Sequence, residues 1–416
     1  MQPGFEQPQP QPKIEEAVGA RRLEMIAILY GAWMVALSVA FHLHAENKIL
    51  LEAVLLTGAI PASLHAILLP IDTRGNAAGM WFLWGFLSIF LVSYMLNECT
   101  WEDLVNLFNV LFIFIIGVLI ASSNDPRLIA RIAGAFAVML SPYLLYVNFT
   151  GEYLWGRLIA GSQPNLWGLL ATNVVIGAFA LRSRLLQAAC LGVAFLTLYN
   201  AQARGSMVAT VPVLLIFVYH WYVHEKNVDL SWKMVTAYAL IVFFFCVGAF
   251  YSDILVNDIM RLNDPYRGLQ SGATGRDEAW AEALNLWFNS PLFGVGFRKH
   301  EQYMIFTDLS SHNAYIAMLA DTGFVGFLAY MAFLICSFIA AVRGIADPKL
   351  RLFVIAVIVS YAFAGMFERR AINVGNSFSI TFIFVCLLSL RLATQRARYA
   401  AEAPQVAPVG VPPLPR

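Results

Sequence analysis

Hydrophobic residues run along this chain in long blocks separated by short polar breaks. A helix needs about 20 mostly apolar residues to cross a bilayer. On that measure the pattern predicts about twelve spans, centred on Met25–His42, Leu51–Leu69, Gly79–Leu96, Val105–Ala121, Ile129–Val147, Trp167–Leu181, Leu185–Tyr199, Met207–Val223, Met234–Phe250, Phe324–Val342, Leu352–Met366 and Phe378–Leu392. The sixth and seventh are parted only by Arg182-Ser183-Arg184, which reads as a tight turn. Pro61, Pro142 and Pro212 fall inside spans, where neighbouring helices can re-satisfy the freed backbone groups. One hydrophilic interval is long, about 251–311, and two ends are polar and Pro-rich. The expected organisation is therefore a disordered tail at 1–22, spans one to nine within 23–250, an outer loop with amphipathic helices at 251–311, spans ten to twelve within 312–394 and a second tail at 395–416. The expected fold class is an all-α polytopic membrane protein.

Composition agrees. Of 416 residues, 59% are hydrophobic and 13% charged, against about 45–50% and about 25% in soluble domains. A net charge of +1 gives no reason to expect a nucleic-acid partner. Four of the five cysteines, Cys190, Cys246, Cys336 and Cys386, lie in apolar runs, and with Cys99 they form no metal-ligand or disulfide pattern; small core residues are expected. The first apolar run starts too far from Met1 for a cleaved signal peptide and is expected to be retained.

Charge sets the orientation. With the N-terminus inside, seventeen of the 27 basic residues fall on the inner side, as the positive-inside rule requires, so both termini are expected in the cytoplasm. The outer cations then become informative. They cluster around Arg157, around Arg204, across 251–311 and at Arg369-Arg370. Either these loops are simply hydrated, or the outer face holds an anion.

Several stretches carry candidate chemistry. Arg204 stands with Gly205 and Ser206 between two spans. Its fork-shaped guanidinium and the free N–H groups of a helix start could cradle a phosphate; alternatively it reaches to lipid headgroups. Arg276 lies in Gly272–Trp287, which reads as an amphipathic helix with Thr274 as cap and Asp277 completing a weak capping box. A cation in a first helical turn opposes the dipole, which suggests a task other than capping, unless Asp277 or Glu278 pairs with it. Pro291-Leu292-Phe293-Gly294-Val295-Gly296 reads as a helix stop and sharp turn, too short to be a nucleotide loop. His312 precedes an apolar helix in which Gly323 and Gly326 allow a bend, with Asp321 beside it as cap or partner. Histidine titrates near neutral pH and can take a proton from a hydroxyl; the alternative is an ordinary interfacial histidine. Asn165 opens the sixth span, where it would cap. Glu368-Arg369-Arg370 is a self-neutralising cluster or a second anion contact.

Taken together, Pro164-Asn165, Ala203-Arg204-Gly205, Gly275-Arg276 with Trp280, Pro291–Gly296, and His312-Asn313 followed by Leu319–Gly326 resemble the O-antigen ligase and polymerase superfamily of bacterial inner-membrane glycosyltransferases. The resemblance spans roughly Asn165 to Arg370. It implies a cofactor-free, metal-independent, inverting transfer at the periplasmic face in lipopolysaccharide biosynthesis. The donor would be an O-antigen polysaccharide on undecaprenyl pyrophosphate. The acceptor would be a sugar hydroxyl of lipid A–core in a ligase, or a second lipid-linked glycan in a polymerase. Carried over, Arg204 and Arg276 match arginines that bind the pyrophosphate and His312 the histidine that serves the acceptor hydroxyl. Asn165, Asn313, Arg369 and Arg370 are expected to contact substrate. Asp321 stands where an acidic residue often precedes the glycines. A lipid-linked glycan transporter or flippase, a different class, would need charges near midspan, and the sequence has few.

Overall fold

The computed structural model describes residues 12–43, 47–154, 156–160, 163–220, 272–305, 311–369 and 372–402. The expected span at Met234–Phe250, the loop residues 251–271 and Arg370 lie outside the described residues. What is described is a helical bundle: α1 Pro12–Leu43, α2 Lys48–Leu56, α3 Ala59–Leu68, α4 Ala77–Leu96, α5 Trp101–Ala121, α6 Leu128–Thr150, α7 Pro164–Ala180, α8 Arg184–Ala201, α9 Arg204–His220, α10 Gly272–Asn289, α11 His300–Tyr303, α12 Ala314–Gly344, α13 Pro348–Gly365 and α14 Ser377–Glu402. A two-stranded hairpin, β1 Tyr153–Leu154 with β2 Arg157–Leu158, is the one sheet among the described residues. Nine helical segments there are long and apolar enough to span, and α7 and α9 are shorter apolar helices. The protein is an all-α polytopic membrane protein.

The elements depart from the sequence pattern in three places. α1 begins at Pro12 and α14 runs to Glu402, so parts of both expected tails continue the adjoining spans as helix. Ile14–Arg22 and Leu392–Glu402 are rich in Ala, Glu and Arg, which keep a helix going past its apolar part. The second span is broken into α2 and α3 at Thr57-Gly58. Cys99 and Cys336 are exposed, so these two are not the core residues expected of them.

α14 is the central post. From Ser377 to Leu390 every residue is buried, which is what a helix apolar on all sides requires. It packs against α12, α5, α13 and α4. Its hydroxyls are satisfied locally: Thr381 donates to the Ser377 carbonyl at 2.8 Å and Ser389 to that of Cys386 at 2.8 Å. At one end of the bundle, buried Arg391 donates to the carbonyls of Ala121 and Ser123 and pairs with Asp72 at 3.4 Å. A cation there complements the C-terminus of α5. Arg127 and Asp347 pair at the same end. The candidate residues Arg204, Arg276, His312 and Arg369 lie at the opposite end, where α9 and α12 begin and α13 stops.

Candidate active site

The site is built on a break in α12. Gly323 interrupts the helix with φ 66° and ψ −168°. The backbone groups freed there are taken up by the stretch that follows α10. Phe324 N donates to the Pro291 carbonyl at 2.8 Å, Val325 N to Leu292 at 3.2 Å, Val295 N to Ala320 at 2.9 Å and Gly296 N to Asp321 at 2.9 Å. The two glycine-bearing motifs are thus halves of one joint. A Cβ at Gly323 would lie 2.3 Å from the Leu292 carbonyl, and one at Gly294 2.4 Å from the Ala320 oxygen. The end of α4 grips the same joint: Ser93 Oγ donates to Phe293 at 2.6 Å, and Asn97 Nδ2 to Gly294 at 2.8 Å.

Beneath the joint lies a buried polar chain. Asp321 Oδ1 accepts from the His300 backbone N at 2.8 Å and from its Nδ1 at 2.9 Å. That leaves Nε2 as acceptor, 3.3 Å from the Ser311 hydroxyl. Ser311, His300 and Asp321 are all buried. The Ser311 carbonyl in turn accepts from Trp280 Nε1 of α10 at 2.5 Å. Asp321 is therefore a partner rather than a cap. Sequence reasoning missed His300: it stands 21 residues from Asp321, and no spacing rule joins them.

His312 follows directly. It is half-buried and held at φ 45°, a left-handed conformation that a non-glycine residue keeps only when its surroundings impose it. Both neighbours do so. Ser311 is fixed as above. Asn313 is the N-cap of α12, accepting from Tyr315 N at 2.9 Å and Ile316 N at 3.1 Å, with its amide 3.4 Å from the Met366 carbonyl. Asn165 does not cap α7. Gln163 occupies the cap position and Pro164 the first turn, because a proline needs no N–H partner there.

Arg204 opens α9 directly after a two-residue turn, as expected. The turn is locked by Arg157 of β2, which donates to the carbonyls of Ala201 and Gln202 at 3.1 and 3.3 Å. A Cβ on Gly205 would lie 2.5 Å from that of Phe367, so α9 starts against the turn that carries Glu368 and Arg369. Arg369 pairs with Glu301 of α11. Arg276 is half-buried on α10, one turn from Trp280. The helix starts at Gly272, so Thr274 is inside it rather than its cap, and Arg276 is past the first turn. Ala279 and Ala283 are buried, as the amphipathic pattern predicts. Among the described residues Arg276 makes no ion pair with Asp277 or Glu278. Gly205 beside Arg204 packs on Phe367, Trp280 one turn from Arg276 donates to Ser311, and Asn313 beside His312 reaches Met366, so the segments that carry the three residues border the turns 311–313 and 365–369.

Residues 189–331 match the model of a family described as O-antigen ligase. The segment is similar to that family. It contains Arg204, Arg276, His312 and both halves of the glycine joint, and it covers about a third of the chain. No curated protein matches the chain. The match agrees with the resemblance drawn from the sequence.

Two cations of the matched segment were not singled out from the sequence. Lys299 is buried against Asp103 at 2.7 Å and donates to the Glu98 carbonyl at 2.9 Å, tying α11 to the start of α5. Arg298, at φ 63°, lies between two cavities. Its guanidinium lines both and donates to Asn106 Oδ1 at 3.4 Å. The smaller cavity, about 30 Å³, is bounded by Arg298, His300, Asp321, Arg369 and Asn373.

Proposed function

We propose that the protein transfers an O-antigen polysaccharide from undecaprenyl pyrophosphate to a sugar hydroxyl of lipid A–core at the periplasmic face of the inner membrane. The observation that supports this reading is that the segments carrying Arg204, Arg276 and His312 border the same turns at one end of the bundle, where His312 is held in a left-handed conformation.

In this reading the acceptor oxygen bonds to the anomeric carbon. The anomeric bond to the pyrophosphate breaks, and its electron pair leaves with the phosphate oxygen. Charge grows on the leaving group, so Arg204 and Arg276 stabilise the transition state more than the ground state. Single displacement inverts the anomeric centre. His312 serves the acceptor hydroxyl. As a base it takes the proton; as a guide it only aims the oxygen. A histidine-controlled pH limb in turnover is expected of the base alone. No step calls on a metal or cofactor. Arg369 and Asn165, the latter in the first turn of α7, contact the substrate in this reading, with Arg370 assigned to the same task from the sequence alone, while Asn313 caps α12 beside His312.

A lipid-linked second glycan in place of lipid A–core would make the same site a polymerase. Purified protein in proteoliposomes, given a polyprenyl pyrophosphate glycan and each acceptor in turn, decides between them. Product on lipid A–core supports the ligase; product only on the second lipid-linked glycan makes the protein a polymerase; neither product removes both readings.

A further inference from the structure

A cavity of about 510 Å³ opens at the same end of the bundle, between α1, α2, α5 and residues 373–375. Its volume is in the range of about 300–1,000 Å³ usual for ligand sites. We propose that it is the subsite for the sugar part of the lipid-anchored acceptor, a proposal that rests on the glycosyl transfer proposed above.

Two polar residues within apolar stretches, Leu50–Leu56 and Leu107–Ala121, carry the argument. Glu52 sits in α2, within Lys-Ile-Leu-Leu-Glu-Ala-Val-Leu-Leu, and lines the cavity. Asn109 lies more than two turns inside α5, is 9% exposed and lines it too. Among the described residues neither makes a hydrogen bond or ion pair. Polar groups within spans are costly and mark substrate paths, and a buried carboxamide without a partner costs about 1–3 kcal/mol. A ligand with many hydroxyls satisfies both, since a hydroxyl donates to the carboxylate and to the amide oxygen and accepts from the amide nitrogen.

The remaining wall fits the same occupant. Trp101 offers an exposed indole beside the carboxamides of Asn106 and Asn373. Leu37, Phe41 and Leu55 form an apolar side suited to a lipid anchor. The charges balance: Lys48 pairs with Glu102 at 2.8 Å, and Arg298 is offset by Glu52. A pyrophosphate would find no net positive charge here. Arg298 and Asn373 also line the small cavity that reaches His300 and Arg369. The small cavity is bounded by His300, whose Nε2 lies 3.3 Å from the hydroxyl of Ser311, the residue before His312.

The test is acceptor-dependent transfer by the full-length protein in proteoliposomes, with lipid A–core as the varied substrate. Glu52→Gln and Asn109→Leu should each raise the acceptor KM about tenfold, about 1.4 kcal/mol, with the donor KM unchanged. Independently of any variant, lipid A–core bearing a diazirine on its outer sugar should label α2 or α5 in the wild-type protein. Acceptor KM values within twofold of wild type in both variants overturn the assignment, as does labelling confined to α9 and α10; the cavity then seats a bilayer lipid. If the wild type transfers nothing, the glycosyl-transfer reading itself fails, a result distinct from unchanged variants.

Discussion

At the scale of single residues, His312 depends on what fixes its neighbours. Its φ of 45° is imposed through Ser311, held by Trp280 and His300, and through Asn313, which caps α12. Asp321 accepts both the backbone and ring N–H of His300, so one carboxylate sets the imidazole tautomer and the path of the chain. The glycine of the joint is equally constrained. Gly323→Ala adds a Cβ 2.3 Å from the Leu292 carbonyl at a φ of 66°, and both effects act against folding. The expected outcome is a large loss of folded, membrane-inserted protein, measured as monodisperse yield after detergent extraction. Gly192→Ala on α8, where a Cβ would meet nothing within 4 Å, should keep wild-type yield.

At the scale of elements, polar pins join helices that apolar packing alone would leave free to slide. Lys299 and Asp103 form a buried Lys–Asp pair, with side-chain exposures of 6% and 5%. Removing one partner of such a pair leaves an unpaired buried charge and costs about 3–5 kcal/mol. Lys299→Met should therefore lower the thermal midpoint sharply, and adding Asp103→Leu should recover part of the loss. Asp347 pins the start of α13 to α6 through Arg127. Burial raises its pKa, but the Arg127 hydrogen bond, the Lys349 and Leu350 amides and the Arg127 charge outweigh that and hold it below the ordinary carboxylate value of 3.8. A carboxyl depressed on folding adds stability above its unfolded pKa and loses it as pH falls through the folded one. Stability should thus drop as pH falls below about 4, by under about 1 kcal/mol for so exposed a pair. Arg127→Met should flatten that acid limb in a series of melts.

Most elements were legible because hydrophobic runs of spanning length have few other solutions in a bilayer. What the runs could not reveal is how helices meet. The break at Thr57-Gly58 is hidden inside an unbroken apolar pattern. The cap of α7 falls on Gln163 rather than Asn165 because Pro164 takes the first turn. The pairing of Pro291–Gly296 with Ala320–Val325, and of His300 with Asp321, is tertiary. Each partner looked ordinary in its own segment. Arg204 at the head of α9 and the bend at Gly323 were readable because a short turn and a glycine pair are local signals.

At the scale of the molecule, basic residues separate into two populations. Arg127, Arg391 and Arg396 at one end are spent on helix termini and ion pairs, while at the other Lys48, Lys299 and Arg369 pair with carboxylates and the segments that carry Arg204 and Arg276 border the turns beside His312. This division is what a membrane glycosyltransferase needs if an anionic leaving group is handled on one side only. The most direct measurement is single-turnover transfer in proteoliposomes with a polyprenyl pyrophosphate glycan as donor and lipid A–core as acceptor, comparing wild type with Arg276→Ala and His312→Ala. The account predicts glycan on lipid A–core with release of polyprenyl pyrophosphate by the wild type. Arg276→Ala should lose about 100-fold or more in rate, from about 2.7–4 kcal/mol of lost charge stabilisation, and His312→Ala about 100-fold or more. Wild-type rates in both folded variants would contradict it.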